Sequence, residues 1–292
     1  MIPELKVDLW GDSLISTLLD KKNLKRIRDP VLLIPLVPFM LTLFFAIFAE
    51  LISPYPPLKT GVGSVLSPPS LRHLMGTDQV GSDIFSQVIY GSRTALIVSV
   101  GTGLIALFIA LIIGLVAGYY GGLIDNLLMR FTDLFLSIPA FIFIIFVLVV
   151  FGNSLRNLII VLGLLSWPIM ARIVRSQTLS IREREFVVAA KAIGESDKSI
   201  IFREILPNIW PSIIPAFLLE MSLAILVESG ISFIGLGDPN VASWGKTLAM
   251  ASRSLYAGAW WGALFPGLML FLTILSLNML GDQLEKVLSR SI

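Results

Sequence analysis

Six runs of apolar residues, each near the length of a bilayer crossing, constrain this chain more than any other feature. A span needs about 20 mostly apolar residues. The runs fall at Val31–Ile52, Thr94–Tyr119, Leu134–Phe151, Asn157–Ile173, Trp210–Ile234 and Tyr256–Leu280. The fourth is the shortest and is interrupted by Trp167–Pro168, and the fifth carries Glu220 and Glu228. Lipid offers the backbone no hydrogen-bond partners, so segments of this kind are helices. Only 14% of the 292 residues are charged, against about 25% in soluble domains. The expectation is an all-α membrane protein with six transmembrane helices. The absence of cysteine removes thiol chemistry and disulfides, and His73, the single histidine, leaves little room for zinc, haem or histidine-base mechanisms. Residues before Pro30 lack the apolar core of a cleavable signal, so the first run is expected to remain as an anchor.

Basic residues set the orientation, because Lys and Arg near span ends stay in the cytoplasm. With both termini inside, sixteen of the 22 basic residues are cytoplasmic; Lys59, Arg72, Arg93, Arg156, Lys246 and Arg253 are outside. Seven of the sixteen lie in the connection between the fourth and fifth runs, which is thereby placed inside. A net charge of +2 is too small to point to nucleic acid.

The chain divides into a cytoplasmic segment 1–30, a first span 31–52, an outer segment 53–93 and a five-helix core 94–292 that includes a cytoplasmic loop 174–208. In the first of these, Trp10, Leu14 and Leu18 recur at i, i+4, i+8. An amphipathic helix at the membrane interface and a partly ordered tail both satisfy that pattern. The outer segment is rich in Pro, Gly and Ser and is expected to end in a short helix around Asp83–Tyr90. His73 reads there as a surface residue rather than a ligand. Gly114, Gly118 and Gly122 form a small-residue face that suits close packing within the chain or, alternatively, between subunits.

The loop carries the most structured polar sequence. Phe186, Ala190 and Ile193 fall at i, i+4, i+7 on one stripe. Gly194 stands where a helix stops, Asp197 is placed to cap the next helix, and Pro207 is expected to limit it at Leu206. The result is a knob of helix, glycine turn and helix, with the small Ala189 and Ala190 permitting close approach. Periodicity alone leaves two readings open, docking into a partner and resting on the lipid surface.

The spacing of Ala189–Ala190, Gly194 and Leu206–Pro207 resembles the "EAA" loop of ABC-transporter permeases. Further strings in the same order are similar to the second permease subunit of the dipeptide/oligopeptide/nickel type. They are His73–Leu74–Met75–Gly76–Thr77–Asp78, Gly81–Ser82–Asp83, Ile89–Tyr90–Gly91–Ser92–Arg93, Gly118–Tyr119–Tyr120–Gly121–Gly122 and Met129–Arg130–Phe131–Thr132–Asp133. Beyond these come Ile138–Pro139, Ser232–Phe233–Ile234–Gly235–Leu236–Gly237 and Ser243–Trp244–Gly245. The resemblance implies a permease in the cell membrane that forms half of an import pathway for di- or oligopeptides. It implies a homologous second permease, two ATP-binding subunits that hold the ATP and Mg, and an extracytoplasmic solute-binding protein. On this chain it implies that Glu185, Phe186, Ala189, Ala190, Ile193, Gly194, Leu206 and Pro207 couple to the ATP-binding subunit. Two positions depart from the pattern: Val188 replaces the usual Glu, and Glu204 the customary Ile. Relatives of this layout also carry oligosaccharides or nickel.

No cofactor or ATP site is expected in the chain itself. Gly245–Lys246–Thr247 mimics the end of a phosphate-binding loop, but Asn240 occupies the position of its first glycine. Glu220 and Glu228 are candidates for the translocation path or a gate; eight residues apart, they lie about 80° from one another around a helix. A structural role is favoured for Glu220, and both roles stay open for Glu228. Asp125, Arg130 and Asp133 suggest an Arg–Asp clamp between helices. The rival from another class is a proton-coupled secondary transporter using Glu220 or Glu228. A membrane hydrolase lacks the residues for its chemistry.

Overall fold

The computed structural model describes residues 30–288, and the expected amphipathic segment around Trp10 lies outside them. The described residues form helices joined by turns, with one isolated bridge between Thr77 and Asp83. The helices are α1 (Pro30–Ile47), α2 (Ala49–Ile52), α3 (Ile84–Tyr120), α4 (Gly122–Leu136), α5 (Ala140–Phe151), α6 (Leu155–Arg182) and α7 (Glu185–Ala192). Then come α8 (Asp197–Ser199), a π-helical stretch (Ile200–Ile205), α9 (Leu206–Phe233), α10 (Trp244–Ser254) and α11 (Trp261–Leu288).

Among the described residues four stretches are long and apolar enough to cross a bilayer: α3, α6, the continuous run Asp197–Phe233, and Trp261–Lys286 within α11. The run expected as one crossing over Leu134–Phe151 is instead split. α4 and α5 are bent by 73° at a break of three residues, where Pro139 is extended (ψ 92°) and starts α5. Counted as one span, the pair would bring the total to five. The first run gives a shorter apolar helix, Ile34–Ile47, followed by α2.

Two sequence boundaries move for a physical reason. Trp167–Pro168 does not interrupt the fourth run, and α6 continues for 28 residues through Pro168. Proline is tolerated inside a membrane helix when neighbours re-satisfy the freed carbonyl. The short outer helix around Asp83–Tyr90 is the first part of α3, whose N-terminus Asp83 caps by accepting from the Ser86 N–H.

α3 and α6 make the most extensive helix pairing among the described residues. Glycines allow it: an added Cβ on Gly114 would sit 2.6 Å from Val174 Cβ, and one on Gly118 2.6 Å from Thr178 Cβ. The small-residue face therefore packs within the chain, as favoured by sequence, while Gly122 borders open space. Gly163 answers from α6, facing Ile105 at 2.6 Å. Gly118→Leu is expected to lower stability by about 1–3 kcal/mol through overpacking. Thermal unfolding of the purified protein checks it, with Gly230→Ala, which meets no neighbour within 4 Å, as the comparison.

α4 is tied to α6 by two ion pairs. Asp125 accepts a bidentate pair from Arg175, one bond at 2.6 Å, and Asp133 pairs with Arg172 at 2.6 Å. The clamp expected among Asp125, Arg130 and Asp133 thus has different cations. Arg130 is exposed, because its place on α4 turns it away from α6.

The segment between α2 and α3 is a folded unit. Gly61 and Val62 N–H groups donate to the Val80 and Gly81 carbonyls at 2.9 and 3.0 Å. His73 is buried, not on the surface. Its Nδ1 lies 2.9 Å from Asp83 Oδ1, and its ring stacks on Tyr55 at 5.5 Å. Trp261 Nε1 at the start of α11 donates to the Thr77 carbonyl at 3.2 Å, closing the unit onto the helical core.

Candidate functional site

The connection between α6 and α9 is built as a compact knob. Arg184 provides the extended residue before α7, and Val187 and Val188 N–H groups both donate to its carbonyl. At the far end Gly194 takes φ +83°. Its N–H donates to Lys191 O, and the Glu195 N–H donates to Ala190 O, each at 3.1 Å. This is the Schellman pairing that satisfies the last carbonyls of a helix and needs a left-handed residue at that point. Ser196 then caps the next helix by accepting from the Ser199 N–H. Asp197, expected in that role, has its carboxylate on Tyr119 instead, accepting from the hydroxyl at 2.7 Å.

The helix begun at Asp197 does not stop at Leu206. It runs on to Phe233, because the turn before Pro207 is widened into a π-helix. Leu206 N–H reaches back to Ile201 O, five residues away, and Asn208 Nδ2 donates to Glu204 O at 2.6 Å. The wide turn makes room for a proline ring that would clash in a regular α-helix.

The knob has an inner and an outer face. Val187 (0% exposed) and Ala190 (8%) pack into a cluster with Leu115, Tyr119, Val174, Ile200, Ile205 and Leu206. Phe186, Val188 and Ile193 stand outward at 42, 52 and 84% exposure, with Glu185, Ala189 and Gly194 also exposed. The stripe read from sequence is therefore divided. Phe186 and Ile193 face out, whereas Ala190 and Leu206 hold the knob to its own chain. Val187, overlooked in the sequence, is the deepest anchor, at 0% exposure. Pro207 is half-buried beneath the knob.

The two membrane carboxylates are buried in the chain. Glu228 (2% exposed) accepts from Ser232 Oγ at 2.6 Å and Ser229 Oγ at 3.4 Å. Glu220 is 9% exposed, and the two are not brought together in a shared hydrogen-bond network. Gly245–Lys246–Thr247 opens α10 with other duties. Lys246 Nζ donates to Pro239 O at 2.8 Å and Thr247 Oγ1 to Gln87 Oε1 at 3.0 Å. Burial holds the Lys246 ammonium below the usual lysine range, against the pull of Asp238. Gly245 lets α10 lie against the backbone of Ser229.

A helical bundle with this connection defines a membrane permease component. Residues 110–292 match the family described as "Binding-protein-dependent transport system inner membrane component", and the chain belongs to that family. It is 38% identical over 268 residues to the dipeptide transport system permease protein DppC of Alkalihalophilus pseudofirmus, covering 91% of this chain and 87% of that one. It is also 38% identical over 255 residues to the glutathione transport system permease protein GsiD of Escherichia coli, covering 87% and 84%. Among solved structures, the inward-facing MetNI methionine ABC transporter aligns with TM-score 0.56 at 21% identity, over 70% of this chain and 97% of its own. That likeness speaks to the fold. The chain is thus a multi-pass component of an ABC importer, with peptide permeases among its relatives.

Proposed function

We propose that this chain is one of two homologous permease subunits of an ATP-driven importer of di- or oligopeptides. The observation that carries the reading is the knob: a rigid, outward apolar face on the basic side of a bundle whose relatives are peptide permeases. Two ATP-binding subunits dock at that side and supply the ATP and Mg. The outer segment 53–83 and α10 face an extracytoplasmic binding protein. Both termini lie in the cytoplasm, α1 completes six crossings with the bent α4–α5 pair, and residues 94–292 form the permease core.

The geometry of the knob supports a route for coupling. Phe186, Ile193 and their exposed neighbours Glu185, Ala189 and Gly194 meet the ATP-binding subunit, while Ala190 and Leu206 pass its motion into the bundle. Nucleotide then biases two arrangements of the helices, open outward or inward. Val188, where the pattern has Glu, adds to the apolar outer face, so docking here relies more on apolar contact than on charge. Glu220 and Glu228 stay the polar candidates for the pathway wall.

Purification from the native membrane in mild detergent tests the reading. A second permease and two ATP-binding chains are expected to co-purify in fixed ratio, with ATPase activity raised severalfold by the binding protein loaded with peptide. A lone chain that takes up substrate on a proton gradient without nucleotide would replace this reading with the Glu228 alternative. Uptake of an oligosaccharide or nickel by the same complex would correct the substrate only.

A further inference from the structure

The knob is fastened to one particular helix of the bundle, at both of its ends, by side chains outside the apolar cluster. Before α7, Arg182 Nη1 donates to the carbonyls of Gly118 and Tyr119 at 3.0 and 3.2 Å. Those carbonyls belong to the last turn of α3, where no intrahelical donor reaches them and a cation is favoured. The tight turn after α3 fits around the guanidinium. Gly121 has φ +67°, and a Cβ there would lie 2.8 Å from Arg182 Nη1. In the last turn of α7, Lys191 Nζ sits 4.8 Å from the centroid of the Tyr119 ring. After the Gly194 turn, Asp197 accepts from the Tyr119 hydroxyl at 2.7 Å. Tyr119 is 6% exposed, so three residues before, within and after the knob converge on one buried spot at the end of α3.

The other end of α3 is equally committed. At 37 residues and 1.5 Å per residue it is about 55 Å long. Its first turns are bound to the outer unit: Gln87 donates to Asp78 Oδ2 at 2.8 Å and accepts from Thr247, Trp244 Nε1 donates to Val88 O at 2.9 Å, and Thr94 Oγ1 donates to Ala242 O at 2.7 Å. One helix therefore joins the knob to the outer unit without a break.

We propose that Tyr119 and Asp197 are positioning residues that lock the knob to α3, so that α3 carries displacement of the knob to the outer segment. This rests on the importer reading above. The hydrogen bond between them holds the second attachment, and Arg182 the first. A knob freed from Tyr119 still docks, because its exposed face is unchanged, but it moves without drawing α3 along.

The test is the ratio of peptide imported to ATP hydrolysed by the complete transporter in proteoliposomes with its binding protein. Tyr119→Phe removes only the hydroxyl, and Asp197→Ala only the acceptor. Each is expected to lower the ratio about threefold or more while ATPase activity is retained. The double variant is expected to do no worse than either single one, since both break one bond. Asp197→Asn, which keeps an acceptor oxygen, is expected to restore most of the ratio, and Tyr120→Phe, at an exposed neighbour, to leave it unchanged. An unaltered ratio in both single variants overturns the proposal. So does a parallel fall in import and ATPase that follows the amount of assembled complex, which is the mark of a packing role. A wild-type complex with no ATP-driven import at all would instead remove the importer reading, and this inference with it.

Discussion

Replacing Ile193 by glutamate is expected to reduce ATP-driven uptake about 30-fold or more, with the chain still inserted and folded. Ile193 is 84% exposed and follows α7 at its C-terminal end, so its own chain gains little from it. On the proposed reading it and Phe186 are the large apolar groups offered to the ATP-binding subunit. Removing such an anchor typically costs 2 kcal/mol or more, and forcing a carboxylate into an apolar contact adds the cost of burying an unpaired charge. Uptake and the amount of co-purifying ATP-binding subunit should fall together, while the thermal midpoint of the isolated chain stays put. Ala190→Glu gives the contrast: at 8% exposure within the apolar cluster, it should damage folding first. Gly194→Trp falls between them. The site is open, with nothing within 4 Å of an added Cβ, but its φ of +83° costs a non-glycine residue about 1–2 kcal/mol. Wild-type uptake by the Ile193 variant would remove docking from the knob.

Hydropathy and loop charge made the helical class, the long connection and its glycine turn legible in the sequence. A Schellman turn is written locally: glycine takes the left-handed φ of Gly194 without a Cβ clash, and the pairings that close it lie within six residues. The faces of α7 were less legible, because Phe186, Val187, Val188, Ala190 and Ile193 are all apolar. Which of them turns inward depends on where Leu115 and Val174 stand, and those come from other helices. Pro207 misled for a related reason. Proline forbids a regular turn, but not a wide one, and the Ile200–Ile205 stretch that supplies it is favoured by tertiary packing of Ile200 and Ile205. The same holds for Trp167–Pro168, which sits inside a helix supported by α3. His73 was misread because its burial depends on Asp83 and Tyr55, neither adjacent in sequence. Sequence pattern thus locates elements and turns. Long-range packing decides which face of each element does the work.

The second large effect is expected at the opposite end of α3. Asp78 is 6% exposed, and its carboxylate serves three donors. Oδ1 accepts from the Val80 and Ser82 N–H groups at 2.9 and 2.8 Å, and Oδ2 from Gln87 Nε2 at 2.8 Å. Gln87 in turn accepts from Thr247, so the same carboxylate orders the Gly81 turn, the start of α3 and the start of α10. Asp78→Ala leaves three donors without an acceptor, two of them on the buried residues Ser82 and Gln87. Bonds to a charged group are worth about 1.5–3 kcal/mol each, and since they are not additive the expected loss is about 3–5 kcal/mol. That loss should be local, because the carboxylate's donors lie within residues 80–87 and reach further only through Thr247 at the start of α10. Amide hydrogen exchange is therefore expected to quicken at least tenfold over residues 60–83 and in α10, with the spans still protected. Asp78→Asn keeps one acceptor oxygen for the two backbone donors and should retain more than half of the protection. If exchange in the outer segment were unchanged in Asp78→Ala, the carboxylate would not be what holds that segment to α3, and Trp261 and His73 would have to carry the attachment. If instead the segment loosens while ATPase activity stays and binding-protein stimulation disappears, the outer unit is the place where the signal from the binding protein enters α3.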